Sequence, residues 1–281
     1  MPYSTEISRD HPTALIFVID QSESMVEPLA GGRAKAEFVA DVLNKTLYTL
    51  VTNCSKAEGV RRYFDIGVLS YFGDSVADGF GRAINGHSLI CPITDVADAP
   101  LRVEERTRKA DDGTGGVIEQ KVKFPVWFEP KAVGRTPMRA GLTRAAEIVA
   151  EWCDTHPQSY PPTILHVTDG ESTDGDPQDV ADTMRQLHTA DGNALLFNLH
   201  VSAQGAQEVV FAREEGGLAD EYARMLFRMS SPLPPHLAGL AGDRGYSVAN
   251  GARGFIFNAS PQLIVDFFEI GTRPRLISAD R

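Results

Sequence analysis

The chain has 281 residues, 42% apolar and 23% charged, with a formal net charge of -11. That length predicts one large α/β domain or two small ones, with a sizeable buried core. The acidic balance argues against broad binding to nucleic acid or anionic membrane and is compatible with cation binding, and no apolar run approaches the ~20 residues needed to span a bilayer.

Residues 1–12 are polar and predict a short arm, without the basic region and apolar core of a signal peptide. Residues 13–19 read as a buried strand of a parallel sheet, because the apolar run Ile16-Phe17-Val18-Ile19 has no polar alternation. It ends in Asp20, and Ser22 and Ser24 follow at every second position. Ligands of open α/β sheets bind outside the carboxyl ends of strands. One carboxylate and two hydroxyls in such a turn make a hard, oxygen-only site suited to Mg²⁺, with Mn²⁺ or Ca²⁺ as rivals. The same residues also suit an ordinary strand-to-helix turn, where Asp and Ser act as caps. A Gly31-Gly32 loop leads into a helix over about 33–51, with Val39, Leu43, Leu47 and Leu50 on one face.

Residues 63–72 predict a second central strand rich in β-formers. Glycine, proline and aspartate punctuate 73–100. Residues 101–108 and 117–128 then predict a hairpin turning at 111–116. In its second arm Ile118, Val122, Phe124, Val126 and Phe128 share one face, while Glu119, Lys121, Lys123 and Trp127 point the other way. Pro125 favours an edge or a bulge. This ribbon is expected to insert into or edge the sheet, and to set partner choice while leaving the fold independent of it.

Gly134-Arg135-Thr136-Pro137 opens a strongly amphipathic helix carrying Met138, Leu142, Ala145, Val149 and Trp152, with Thr136 as the expected N-cap and Pro137 as its first residue. Residues 163–168 repeat the earlier pattern, a buried strand ending in Asp169-Gly170. A helix at 177–189, a strand at 194–201, a helix at 218–230, a Pro-rich link with a short helix, a strand at 254–257 and a helix at 261–269 follow. Strands alternating with helices imply an α/β fold, a mostly parallel central sheet with helices on both faces. The expected organisation is an arm at 1–12, one domain over 13–270 with its insertion at about 73–130, and a tail at 271–281. Cys54, Cys91 and Cys153 form no paired motif, so a reducing, cytoplasmic location is the simplest reading. The seven histidines are scattered, and surface or satisfied-core roles are expected of them.

Three loops should converge at one end of this sheet, bringing Asp20, Ser22, Ser24, Thr136 and Asp169 together. Two facing carboxylates repel and are costly to desolvate, and a divalent cation resolves that. Mg²⁺ keeps waters or outside ligands in its octahedral shell, so a carboxylate from another molecule can complete it. Asp20-Gln21-Ser22-Glu23-Ser24, Gly134-Arg135-Thr136-Pro137 and Val167-Thr168-Asp169-Gly170 resemble the metal-ion-dependent adhesion site of the von Willebrand factor A (vWA) family, at all five ligand positions and in order. The resemblance covers roughly 13–270, although 73–130 is longer than the family's usual link. It implies a Rossmann-like vWA fold, with Ser22, Ser24 and Thr136 binding the metal through hydroxyls and Asp20 and Asp169 acting largely through bound waters. It also implies a non-enzymatic binding module whose protein partner supplies an acidic residue. Cytoplasmic family members often act as adaptors, including bacterial ones of the tellurite-resistance type that accompany kinases and phosphatases.

Other signals fail on their own chemistry. An EF-hand starting at Asp169 would need glycine and glutamate where Asp174 and Val180 stand, so Glu171, Asp174 and Asp176 read as an acidic rim. Asp20 lacks the second aspartate two residues on that an aspartyl phosphotransferase uses. Gly170-Glu171-Ser172-Thr173-Asp174 misses the nucleophile elbow at its last position, and no phosphate-binding P-loop exists. The competing reading is a metal-dependent phosphotransferase or hydrolase using the same site. It lacks a general base: no histidine or lysine lies within the three loops, and only Glu23 and Glu171 are placed to try.

Overall fold

The computed structural model describes residues 2–80, 89–111, 117–202, 207–218 and 221–273. The strands of the main sheet and of the ribbon are β1 (Thr13–Asp20), β2 (Phe64–Phe72), β3 (Ser75–Asp78), β4 (Ile90–Pro92), β5 (Arg102–Asp111), β6 (Val117–Val126), β7 (Thr163–Thr168), β8 (Leu195–Val201), β9 (Val209–Val210) and β10 (Phe255–Ala259). The helices are α1 (Lys35–Cys54), α2 (Ile93–Asp98), α3 (Met138–Thr155), α4 (Gln178–Met184), α5 (Glu221–Met229), α6 (Pro235–Asp243) and α7 (Pro261–Gly271). The tail from 274 and the hairpin turn at 112–116 lie outside the described residues.

One eight-stranded sheet runs β9-β10-β8-β7-β1-β2-β3, with β4 also on β2. Its central pairs are parallel, and β3, β4 and β9 run antiparallel at the margins. Both faces are covered, which is why β1 is apolar at successive positions. Leu15, Phe17 and Ile19 pack with Val39, Leu43 and Leu47 of α1 and with Phe268 of α7. Ala14, Ile16 and Val18 pack with Met138, Leu142 and Val149 of α3 and with Leu226 of α5. Phe17 and Phe268 stack at 5.7 Å, and each such buried large side chain contributes roughly 1.5–3 kcal/mol.

From β1 the chain moves outward to β2 and β3, then returns to lay β7 on the other side of β1. The strand order therefore reverses at β1 and β7, the position where open α/β sheets form a crevice beyond their carboxyl ends. Asp20 is the last residue of β1, and Asp169 immediately follows β7.

The insertion departs from expectation. β3, β4 and α2 extend and cover the sheet, so the described parts of 73–100, residues 73–80 and 89–100, belong to the domain proper. The ribbon β5–β6 neither enters nor edges the sheet; it pairs only with itself. Its root leans on α1, where Arg106 bonds Asp41 at 2.6 Å and lies over the Phe124 ring. Phe124, Val126, Trp127 and Phe128 are buried. Asn44 of α1 accepts hydrogen bonds from the Trp127 and Phe128 amides and donates to the Phe128 carbonyl. The expectation that all of 101–128 is independent of the fold is thus corrected, because 124–128 is core. Ile118, on the same predicted face, is 51% exposed because the ribbon overshoots α1.

The N-terminal arm is fastened: the Ser4 and Thr5 amides bond the Asp191 carboxylate, and Ile7 is buried. The helix expected at 177–189 stops at Met184, and the chain then makes a small hairpin pairing His188–Thr189 with Gly192–Asn193. The three cysteines are free and buried, and burial raises each thiol pKa to about 12.

Candidate functional site

The structure brings the five expected residues together. Ser22 Oγ lies 3.2 Å from Ser24 Oγ, and Ser24 donates to Asp169 Oδ1 at 2.6 Å. A methyl group placed on Gly170 would lie 3.8 Å from Ser24 Oγ and 4.0 Å from Thr136 Oγ1, so both hydroxyls border the same small space. Backbone bonds lock the loops in this arrangement. The Glu23 amide donates to the Gly134 carbonyl, the Val133 amide to Gln21, and the Thr173 amide to Thr136. Gly134 has φ +68, and a side chain there would meet the Gly73 backbone at 2.9 Å, so glycine is required for this approach.

Thr136 is not the helix cap expected from sequence. α3 begins at Met138, and Pro137 holds the cap position without a side-chain bond. The α3 amides of Arg139 and Ala140 instead bond the Asp174 carboxylate at 3.0 and 2.8 Å. One residue of the expected acidic rim thus caps α3 from the loop after β7, and the Thr136 hydroxyl is not spent on capping.

The two carboxylates differ electrostatically. Asp20 is fully buried; Oδ1 accepts from the Ser22 amide and Oδ2 from Thr168 Oγ1, each at 2.8 Å. Burial raises its pKa to about 6; hydrogen bonds from Ser22 and Thr168 oppose the rise, and the nearby Asp169 charge adds to it. Asp169 has a cation beside it: Lys35 Nζ lies 2.9 Å from Asp169 Oδ2 and 2.7 Å from Glu27 Oε2. Burial opposes the lysine charge, but hydrogen bonds and Coulombic attraction from both carboxylates outweigh it, and the Lys35 pKa lies above its ordinary value.

Lys35, Glu27 and Thr168 are the residues that loop-by-loop reading of the sequence missed. Lys35 lies outside the three loops but reaches their centre from the first residue of α1. One signal was available: a lysine at a helix N-terminus opposes the helix dipole, which favours acidic residues there.

Beneath the site lies a buried polar chain. Tyr71 Oη is 2.9 Å from His166 Nε2, and His166 Nδ1 is 2.8 Å from Asn198 Oδ1. Asn198 Nδ2 donates to Ser230 Oγ, which donates to the Leu226 carbonyl of α5. Burial lowers the His166 pKa to about 4. The neutral ring donates from Nδ1 to the Asn198 oxygen and accepts the Tyr71 hydroxyl at Nε2. His166 is therefore a satisfied core residue. Tyr222 of α5 bonds the Gly170 carbonyl and closes the site on that side.

The fold class is α/β and Rossmann-like, a mostly parallel sheet with helices on both faces. No family model matches the chain, and neither does any curated protein. Proximal thread matrix protein 1 from the mussel byssus is similar over 94% of this chain and 48% of its own, at 14% identity and a TM-score of 0.46. The vWF domain of the type V pili tip protein Mfa5 from Porphyromonas gingivalis is similar over 58% of this chain and 39% of its own, at 14% identity and a TM-score of 0.33. The manganese-loaded TRAP protein of Plasmodium vivax is similar over 86% and 70%, at 12% identity and a TM-score of 0.34. The chain spans less than half the length of the first two. At such values the likeness carries no functional argument, and the site's own chemistry must supply one.

That chemistry fits a hard divalent cation. The donors are oxygens only, three hydroxyls and two carboxylates around one small space. Among the described residues no cluster of three or more His, Cys, Asp or Glu is placed to hold a metal, so transition-metal sites built on nitrogen or sulfur are not offered. Among the described residues no helix is long and apolar enough to cross a membrane.

Proposed function

We propose that this chain is a non-enzymatic protein-binding module in which Ser22, Ser24 and Thr136 hold Mg²⁺, or Mn²⁺ in its place, with Asp20 and Asp169 behind them. The observation that carries this reading is the convergence of three hydroxyls on a small space backed by two carboxylates at the reversal point of the sheet. When bound, the ion supplies a Lewis-acidic position that a partner's carboxylate can complete. The hydroxyl ligands donate no formal charge, which keeps that position attractive to an anion.

A binding role is favoured over chemistry by what surrounds the two carboxylates. Both oxygens of Asp20 and both of Asp169 already accept hydrogen bonds. Glu23 and Glu171, the only carboxylates the sequence offered as a general base, are exposed to solvent. His166, three residues before Asp169, is sealed in the core.

Calorimetric titration with Mn²⁺ tests the site. The wild type should bind one ion, and Thr136→Ala should bind it at least tenfold more weakly at unchanged stability. Equal affinity in the two proteins would remove Thr136 from the site and sink the reading. Partner capture from extract, with and without chelator, should then return a protein held only when the ion is present.

A further inference from the structure

Lys35 breaks a local rule. It is the first residue of α1, where the helix dipole disfavours a cation, and it is 3% exposed, a burial that lysine accepts only when paired, here with Asp169 and Glu27. Departures of this kind concentrate at functional sites. Its orientation is fixed by the backbone: the Glu27 amide donates to the Ser24 carbonyl, the Lys35 amide donates to the Glu27 carbonyl, and a bridge pairs Pro28 with Ala34. The turn through Gly31 and Gly32 thus returns the chain to the site and points the ammonium at Asp169 Oδ2, 2.9 Å away, in a side chain fully withdrawn from solvent.

We propose that Lys35 is a tethered counter-ion that shares Asp169 with the bound metal, lowering the site's affinity for the cation and strengthening its preference for an anionic outside ligand. The proposal rests on the metal reading above. Asp20 and Asp169 contribute two negative charges, a divalent ion cancels them, and Lys35 leaves the loaded site with one excess positive charge. Glu27 offsets that excess only from the rim, since its side chain is 54% exposed. The partner chemistry this favours is a carboxylate. A second metal ion or a basic side chain would meet repulsion.

A residue that merely positioned Asp169 would make the opposite prediction. Losing a support lets the carboxylate drift and weakens metal binding, whereas losing a competitor strengthens it. Mn²⁺ titration of wild type, Lys35→Met and Glu27→Gln in the full chain separates the two. Removing one positive charge from beside the same carboxylate, at the effective dielectric of a partly buried site, should tighten Mn²⁺ binding by at least roughly tenfold in Lys35→Met. Glu27→Gln leaves the ammonium to Asp169 alone and should weaken Mn²⁺ binding severalfold. Glu27 is exposed enough that this variant should fold, and it decides the matter alone if Lys35→Met does not. Mn²⁺ binding seen only in Lys35→Met would overturn both readings, because the lysine would then stand in place of the metal and not beside it. Binding in all three proteins at equal affinity, or weaker in Lys35→Met, would overturn the role of Lys35 and leave the metal site standing. No Mn²⁺ binding in any of them would overturn the metal reading itself.

Discussion

Neutralising Asp20 should stabilise the protein in chelator, and the gain should depend on pH in a predictable direction. Asp20 carries its charge in a fully buried site without a cation of its own, and burial raises its pKa from 3.8 to about 6. Roughly two units at ~1.4 kcal/mol each amount to about 3 kcal/mol. The folded value lies above the unfolded one, so this group's stabilising contribution is fully present below pH ~4 and is lost as the pH rises through about 6. Asn can replace the side chain without orphaning its partners. Its oxygen can accept from the Ser22 amide, its amide can donate to Thr168 Oγ1, and the Thr168 hydroxyl can turn to the Gly170 carbonyl 3.1 Å away. Urea unfolding of wild type and Asp20→Asn at pH 4 and pH 7.5, with chelator throughout, measures the difference directly. Any fixed cost of the amide cancels between the two pH values, so the variant should gain about 3 kcal/mol on wild type over that interval. An unchanged difference would mean that Asp20 is not destabilised by burial. Asp169→Asn is the contrasting control. It relieves the repulsion on Asp20 that the two aspartates imply, but it also strips the buried Lys35 of one of its two carboxylates, and breaking such pairs costs up to 3–5 kcal/mol. It should destabilise the metal-free protein.

Three further outcomes follow from the packing. Asp174→Ala removes the carboxylate that caps α3 and should cost about 1–2 kcal/mol in urea unfolding, whereas Thr136→Ala should cost less, since Thr136 caps nothing. Asn44→Ala leaves two buried amides and a carbonyl of the ribbon root without partners and should cost at least about 2–3 kcal/mol, measured the same way. Joining Thr107 to Lys121, which face each other in register, with a short Gly-Ser turn should leave stability within about 1 kcal/mol of wild type, while Phe124→Ala should cost about 3–5 kcal/mol; if the shortened ribbon unfolds the domain, its outer half is also core.

Much of this protein was legible in the sequence because the signals are local. An apolar run buried on both faces announces β1, and the three- and four-residue spacing from Met138 to Trp152 announces α3. The turn Asp20-Gln21-Ser22-Glu23-Ser24 carries three of the five site residues within a few positions, so its chemistry could be read before any fold was known. What depended on distance through space could not be read this way. Asp174 caps a helix 34 and 35 residues before it, a bond with no sequence periodicity to betray it, and so Thr136 was given the cap. The ribbon's alternation was plain in the sequence, but an alternating strand can face any apolar surface, and only tertiary packing placed its root on α1 and left Ile118 exposed. The charge balance of the site was decided last. Two aspartates in sequence suggest repulsion; Lys35, brought to Asp169 across 134 residues, turns one of them into an ion pair and leaves Asp20 alone with the cost of burial. Electrostatics acts through space and not along the chain, so the sequence could supply the charges but only the fold could pair them.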